Sequence, residues 1–505
     1  MSSIRTLQDL LAVGRGDAAA ITAPGARDLT YDAFRKLVGG TIATLNGFGI
    51  GRNDRIAIVL PNGPDMATTF VAVATGATAA PLNPAYKADE FEFYMSDLGA
   101  KALIVEAGSK SPAIEVARKL GITVLTLTPD AGGIAGTFTL SGGVPKAAAN
   151  PGAGASDDVA LILHTSGTTS RPKIVPLTQA NVTASAQNIA TSLEFSDADR
   201  GLNIMPLFHI HGLIAGLLAP LSRGGQIFCT PGFNALKFFA WMEECKPTWY
   251  TAVPTMHQAI LARAGHNKAT IARYPLRFLR SSSASMPPQL ISELEATFNA
   301  PLIEAYGMTE ASHQMASNPL RGKRKPGAVG LPAGPEIAIM DEDGNLLGTG
   351  EIGEVVIRGA NVTQGYENNP KANASAFTNG WFRTGDQGMI DAEGHLSLTG
   401  RIKEIIIRGG EKISPREVDE ALLDHPAVEQ VVTFALPHDK LGEEVAAAVV
   451  LREGQAATES ELRDFLSARL AAFKTPRKII FLAEIPKGAT GKLQRIGLAQ
   501  KLGLA

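Results

Sequence analysis

At 505 residues the chain exceeds what one hydrophobic core usually supports, so two or more domains are expected. Its 47 basic and 49 acidic residues leave a net charge of -2, which argues against nucleic acid or an anionic membrane as the main partner. The two cysteines, Cys229 and Cys245, cannot make a zinc site between them and read as packing residues in a reducing compartment.

In chain order, the first six residues lack the apolar core of a signal peptide. Residues 55–60 read as a short apolar strand, and the segment after Pro61 and Pro64 as a helix through Ala74. A helix over 89–98, a strand over 102–105, a helix over 112–120 and a strand over 123–127 continue the alternation. Such alternation predicts a mostly parallel sheet covered on both faces. Residues 128–157, rich in Ala, Gly and Pro without a sustained period, are expected to form a linker or loose surface crossing. The apolar run 159–163 then leads into a polar loop. Strands near 202–205, 226–229, 249–253 and 277–281, with helices between them, predict a second αβ layer.

Beyond Lys325 the period changes. Residues 336–340 and 354–358, about a turn at 341–345, alternate like antiparallel strands, so a small β region should close the large domain. Past Gly400 the pattern is strand, helix, strand, with a helix starting near Ser414 and Pro415 in its first turn. At about a hundred residues this is a separate α+β domain. The expected class is α/β, with stacked αβ layers and a small β-barrel region in a large N-terminal domain followed by a small α+β domain. No apolar stretch reaches the roughly 20 residues of a bilayer span, and the ending Leu502-Gly503-Leu504-Ala505 is not a peroxisomal S-K-L address. A soluble cytoplasmic protein is expected, with no membrane and no nucleic acid as partner; its oligomeric state is not legible.

The loop after the apolar run reads Thr165-Ser166-Gly167-Thr168-Thr169-Ser170-Arg171-Pro172-Lys173. Hydroxyls, a glycine and two basic residues can surround a phosphate chain with donors and positive charge. It is not a P-loop, which needs G-x-x-x-x-G-K-[ST]. A polar surface turn has the same composition, so the loop alone does not decide.

The loop resembles the signature loop of the adenylate-forming (AMP-binding) acyl-CoA synthetase superfamily. Four more stretches match in that family's order: 206–212, 306–310, 384–386 with 400–412, and 486–492. The resemblance implies an enzyme that joins a carboxylate to AMP with release of pyrophosphate, then passes the acyl group to coenzyme A with release of AMP. A carboxylate is inert to thiols until it has such a leaving group. Phosphates must be held, Mg2+ placed, adenosine clamped and charge at the α-phosphate neutralised.

By that resemblance Thr165, Ser166, Gly167, Thr168, Thr169 and Lys173 hold the phosphates of ATP. Ser283, Ala284, Ser285, Glu304, Ala305, Tyr306 and Gly307 surround the nucleotide, with the Tyr306 ring stacked on adenine. Thr309 meets the α-phosphate and Glu310 holds Mg2+, a hard cation suited to carboxylate oxygen. Asp386 offers two acceptor oxygens to the ribose diol, and Arg401 adds a charged contact. The family often has glycine where this chain has Ile174, which reads as the start of an extended strand leaving the loop.

The resemblance also implies that Lys403 is the hinge between domains at 1–402 and 403–505, the second of them mobile. Rotation about the hinge serves two half-reactions in turn. In one position the small domain brings Lys492 to the α-phosphate, although an exposed lysine looks the same in a sequence. In the other, Arg408, Gly409, Gly410 and Lys412 line a coenzyme A tunnel. Lys474 and Arg477 either meet the phosphates of coenzyme A or form a solvated basic face.

The acyl pocket of the family is built from stretches that here contain His209, His211, Ser282, Ser283 and His313. Polar groups facing an alkyl chain would be left unpaired at a cost, whereas histidines and serines suit a small, doubly charged acid. His209, also assigned to catalysis, carries less weight than His313 because many relatives have histidine there. The wording around 208–212, 249–255 and 280–285 is similar to the oxalyl-CoA synthetases of the superfamily, so oxalate is the expected acid. A short-chain or aryl acid (as in 4-coumarate–CoA ligases), a carrier protein in place of coenzyme A, and a regulator without catalysis are the alternatives.

Overall fold

The computed structural model describes residues 4–165, 172–486 and 495–504. Two large sheets dominate the N-terminal part. The first has seven strands in the order Phe138–Ser141, Thr123–Pro129, Ala102–Glu106, Arg55–Val59, Thr78–Pro81, Val159–His164 and Ile174–Thr178. Its five inner strands run parallel and its two edges antiparallel. The second has nine strands, with Arg200–Asn203, Trp249–Ala252, Phe278–Ser281 and Leu302–Met308 forming its parallel centre.

The helix Pro64–Gly76 shows why the two sheets stack. Every residue from Met66 to Gly76 is buried, because the helix touches Thr78–Pro81 and Val159–His164 of one sheet and Ala19–Thr22 and Gln226–Cys229 of the other. A helix lying between two layers has no face to leave polar. Pro64 at its first turn gives up an amide that would have had no intrahelical partner.

One expectation fails in this region. Residues 128–157 are not merely a loose crossing: the strand Thr123–Pro129 runs on past Leu127, and Phe138–Ser141 returns antiparallel to it, with Thr126 opposite Ser141. A single four-residue edge strand among glycines is too short to show a period.

A third, all-antiparallel sheet follows, built from Glu336–Met340, Gly353–Arg358, Trp381–Ile390, Phe377–Thr378 and Leu396–Arg401. It forms a half-barrel at the end of the large layers. Past it, Glu411–Ile413, Ile406–Arg408, Gly442–Leu451, Val428–His438 and Lys478–Phe481 form a separate five-stranded sheet. Helices Pro415–Leu423 and Glu459–Ser467 pack on it through Val418, Leu422, Leu462 and Leu466, in a core of its own. Ser414 caps the first of these helices, accepting from Glu417 N at 3.4 Å.

Lys403 lies in a single 3-10 turn, Ile402–Glu404, between the half-barrel and the small sheet.

Candidate active site

Several residues singled out in the sequence gather beyond the carboxyl ends of the parallel strands, where α/β sheets present their chemistry. On the first sheet, Thr165 and Lys173 face each other one step past the pair His164 and Ile174. Thr165 N donates to Lys173 O at 3.0 Å, and Lys173 N donates to Thr165 Oγ1 at 3.2 Å. Ile174 begins the strand Ile174–Thr178, as its β-branched run suggests. Ser166, Gly167, Thr168 and Thr169 lie outside the described residues.

Lys173 Nζ sits 4.2 Å above the ring of Tyr366. The Tyr366 hydroxyl donates to Glu310 Oε1 at 2.9 Å. Burial pushes the Glu310 carboxyl up, against the pull of Tyr366, Lys173 and Arg401. Burial also pushes Lys173 down; Glu310 pulls it back up and the nearby Lys403 lowers it further. One buried carboxylate and one lysine from different sheets thus face each other across a tyrosine, with the turn at 402–404 in electrostatic range.

The segment holding Glu310 has a shape only glycine permits. Strand Leu302–Met308 pairs with His313–Ser317, and the register slips between Tyr306 and Gly307. A Cβ on Gly307 would lie 1.8 Å from His313 O. Ser312 and His313 follow with φ of 49° and 103°, a reversal that folds His313 back beside the strand end.

Asp386 and Arg401 are cross-strand partners in the half-barrel, joined by Arg401 Nε to Asp386 Oδ1 at 3.3 Å. The Tyr306 hydroxyl donates to Asp386 Oδ2, so the half-barrel is tied to the strand end of the second sheet. Burial and Asp386 together push the Tyr306 hydroxyl well above its usual pKa. Thr309 is half-buried on the turn Thr309–Ala311, while Glu304 and Ala305 are buried in the strand. Glu304 has its carboxyl pushed up to about 8, by burial first, with Arg416 and Glu420 of the small domain near enough to act on it.

The histidines converge around a residue that reading the sequence missed. Arg280, on the strand Phe278–Ser281, has no solvent exposure. Its Nη1 lies 3.3 Å from His211 Nε2, and its Nη2 lies 3.2 Å from His313 Nε2 and 3.1 Å from Gln314 Oε1. The two imidazoles stack with centroids 4.9 Å apart. His211 also meets Ser283 Oγ at 3.1 Å through Nδ1 and Thr251 Oγ1 at 2.6 Å through Nε2. Ser283 is held at φ 76° on the loop after the strand, with Ala284 and Ser285 exposed beyond it.

Ser282 belongs elsewhere, since its hydroxyl donates to Ala305 O at 2.9 Å. His209 is half-buried, and its Nδ1 accepts from His211 N at 3.3 Å. The signal for Arg280 was present: a charged residue in an apolar parallel strand has no reason to be there unless something buried answers it. Tyr366, Thr251 and Gln314 gave no comparable sign.

In the small domain, Gly409 and Gly410 make the turn between Ile406–Arg408 and Glu411–Ile413, both at positive φ. Arg408 pairs with Glu444 at 2.5 Å, Lys474 with Glu417 at 2.7 Å, and Lys412 with Glu342 of the large domain at 3.3 Å. Arg477 is exposed, and Lys492 lies outside the described residues.

Residues 11–367 match the AMP-binding enzyme family, and residues 417–492 match the AMP-binding enzyme C-terminal domain. The chain belongs to the AMP-binding enzyme family. This AMP-binding enzyme is an acid:CoA ligase of the AMP-forming type, working through an acyl adenylate with ATP and coenzyme A. It is similar to an oxalate–CoA ligase of Arabidopsis thaliana, 46% identical over 497 residues that cover 96% of this chain and 95% of the relative. An oxalate–CoA ligase of Saccharomyces cerevisiae is 43% identical over 462 residues, covering 85% and 84%. Among solved structures it is similar to ATP-bound MatB from Rhodopseudomonas palustris, with a TM-score of 0.88 at 28% identity and 99% of each chain covered. No described helix is long and apolar enough to cross a membrane.

Proposed function

We propose that this AMP-binding enzyme activates oxalate, giving oxalyl-CoA. A carboxylate oxygen attacks the α-phosphorus of ATP, and pyrophosphate leaves. The thiol sulfur of coenzyme A then attacks the acyl carbon; it loses its proton, and AMP leaves with the electron pair of the acyl C–O bond. The observation that carries the choice of acid is the buried cluster of Arg280, His211, His313 and Ser283. An alkyl chain there would face polar groups it cannot satisfy, whereas two carboxylates offer acceptors. The two relatives named as oxalate–CoA ligases support the same reading.

In this reading Thr165, Lys173, the hydroxyls of Ser166, Thr168 and Thr169 and the backbone at Gly167 hold the phosphates, and Ser283 to Ser285 and Glu304 to Gly307 surround the nucleotide. Asp386 and Arg401 receive the ribose. Thr309 meets the α-phosphate. The buried, tyrosine-bonded carboxylate of Glu310 is a fitting oxygen donor for Mg2+, which would neutralise phosphate charge. The chain divides at 402/403, with Lys403 as the hinge. His209 stands at the passage between acid and thiol, and Arg408, Gly409, Gly410, Lys412, Lys474 and Arg477 serve coenzyme A.

Asp386→Asn keeps the shape of the ribose contact and removes its charge. It is expected to raise the KM for ATP about tenfold with little change in the KM for the acid, since a charge-assisted hydrogen bond to a hydroxyl is worth about 1.5–3 kcal/mol. Steady-state kinetics with each substrate varied checks this; an unchanged KM for ATP removes Asp386 from the ribose.

The reading as a whole is tested by coenzyme A-dependent AMP formation with oxalate, malonate, acetate, hexanoate and 4-coumarate. Oxalate is expected to stand well above the rest. His313→Leu is expected to cut oxalate turnover at least about tenfold while affecting acetate less. If another acid leads, the polar-cluster argument fails; if none gives AMP, a carrier-protein acceptor takes its place.

A further inference from the structure

Arg280 is a buried cation without a buried anion. It lies in a strand flanked on both sides by parallel partners, and among the described residues no carboxylate pairs with it. Among the described residues its Nε has no hydrogen-bond partner. Burial pushes the guanidinium down to about 9, so it is still protonated at neutral pH. A desolvated charge left unanswered is costly, and an incoming anion is the means of answering it.

The guanidinium also settles the chemistry of both histidines. It can only donate, so His211 Nε2 and His313 Nε2 must each present a lone pair to it. The single proton of each neutral ring is then on Nδ1. A second proton would set N–H against N–H. Thr251 Oγ1 lies 2.6 Å from the same Nε2 of His211 and accepts from Arg280 Nη1 at 3.4 Å, so the guanidinium is shared between the ring nitrogen and the hydroxyl. His211 Nδ1–H in turn donates to Ser283 Oγ at 3.1 Å, leaving the serine's own proton for another acceptor. Charge and donors thus run in one direction, from the strand toward the loop that carries Ser283.

We propose that Arg280 is a specificity-determining positioning residue: it fixes His211 and His313 as neutral Nδ1–H donors and supplies the uncompensated positive charge that selects a dianionic dicarboxylate over a monoanion of the same shape. This rests on the oxalate reading of the same site. Oxamate, in which an amide replaces one carboxylate of oxalate, keeps the shape and lacks one charge.

The test compares kcat/KM for oxalate and oxamate in the full-length enzyme and in Arg280→Gln. The wild type is expected to prefer oxalate. Arg280→Gln is expected to raise the KM for oxalate about tenfold or more and to shrink the oxalate-to-oxamate ratio by a similar factor, with the KM for ATP within about twofold. A variant that retains the wild-type KM for ATP and an unchanged ratio overturns the proposal. If the wild type prefers acetate or hexanoate to oxalate, the substrate reading itself falls, which is a different outcome from an oxalate-preferring enzyme indifferent to Arg280.

A second measurement needs no substitution at Arg280. Nitrogen-15 NMR of histidine-labelled enzyme, with His211 and His313 assigned from His211→Gln and His313→Gln, is expected to show both rings as neutral Nδ1–H tautomers. An Nε2–H tautomer or an imidazolium at either position overturns the proposal, even where Arg280→Gln does not fold.

Discussion

Lys492→Ala is expected to slow acyl adenylate formation by about 100- to 1,000-fold while leaving thioester formation from supplied acyl adenylate within about twofold of the wild type. The asymmetry follows from where charge develops. When the carboxylate attacks, negative charge accumulates on the oxygens of the α-phosphate, and a lysine ammonium brought there stabilises the transition state more than the ground state. In the second half-reaction the charge builds on the acyl oxygen and the departing AMP, and the proposed rotation about Lys403 has by then carried Lys492 away. ATP–pyrophosphate exchange reads the first step; coenzyme A acylation from pre-formed adenylate reads the second. Equal losses in both would remove this role from Lys492.

Glu310→Gln should be nearly as damaging, and in a different way. The amide keeps the shape and can still accept from Tyr366, which donates to Oε1 at 2.9 Å. It offers no charge to a metal ion, and it leaves Lys173, which is drawn toward Glu310, without that attraction. Adenylation is expected to fall about 100-fold, and the Mg2+ concentration for half-maximal rate to rise about tenfold. Thermal stability should hardly change, because burial already disfavours the charged form of this carboxyl. Pyrophosphate exchange measured across a Mg2+ series checks the prediction. An unaltered Mg2+ dependence would assign Glu310 to packing rather than to the metal.

Much of this site was legible in the chain. Elements whose signal is local came through: the buried strand at 159–163, the helix announced by Ser414 and Pro415, and the antiparallel pair about the turn at 341–345. Hydroxyl-rich and carboxylate-bearing stretches at strand ends were also visible, because the side chains such chemistry needs are unusual there. Phe138–Ser141 was lost because four residues at a sheet edge carry no periodicity, and its partner is fixed by the sheet rather than by its own sequence. The turn holding Lys403 was missed for a similar reason: three residues are below what pattern reading detects.

What the sequence determined by itself was the inventory: which hydroxyl, carboxylate, basic and imidazole groups the chain carries, and in what order. Which of them meet was decided only by the tertiary structure. Thr251, Arg280 and His313 lie on three strands, Thr251 and Arg280 as direct register partners and His313 across the intervening strand Leu302–Met308, and their side chains converge on His211. Ser282 and Ser283 are adjacent in the chain, yet one hydroxyl is taken by Ala305 O and the other reaches His211, because the backbone turns to φ 76° between strand and loop. Contact between residues far apart in sequence depends on how the sheets pack, and local composition does not encode it.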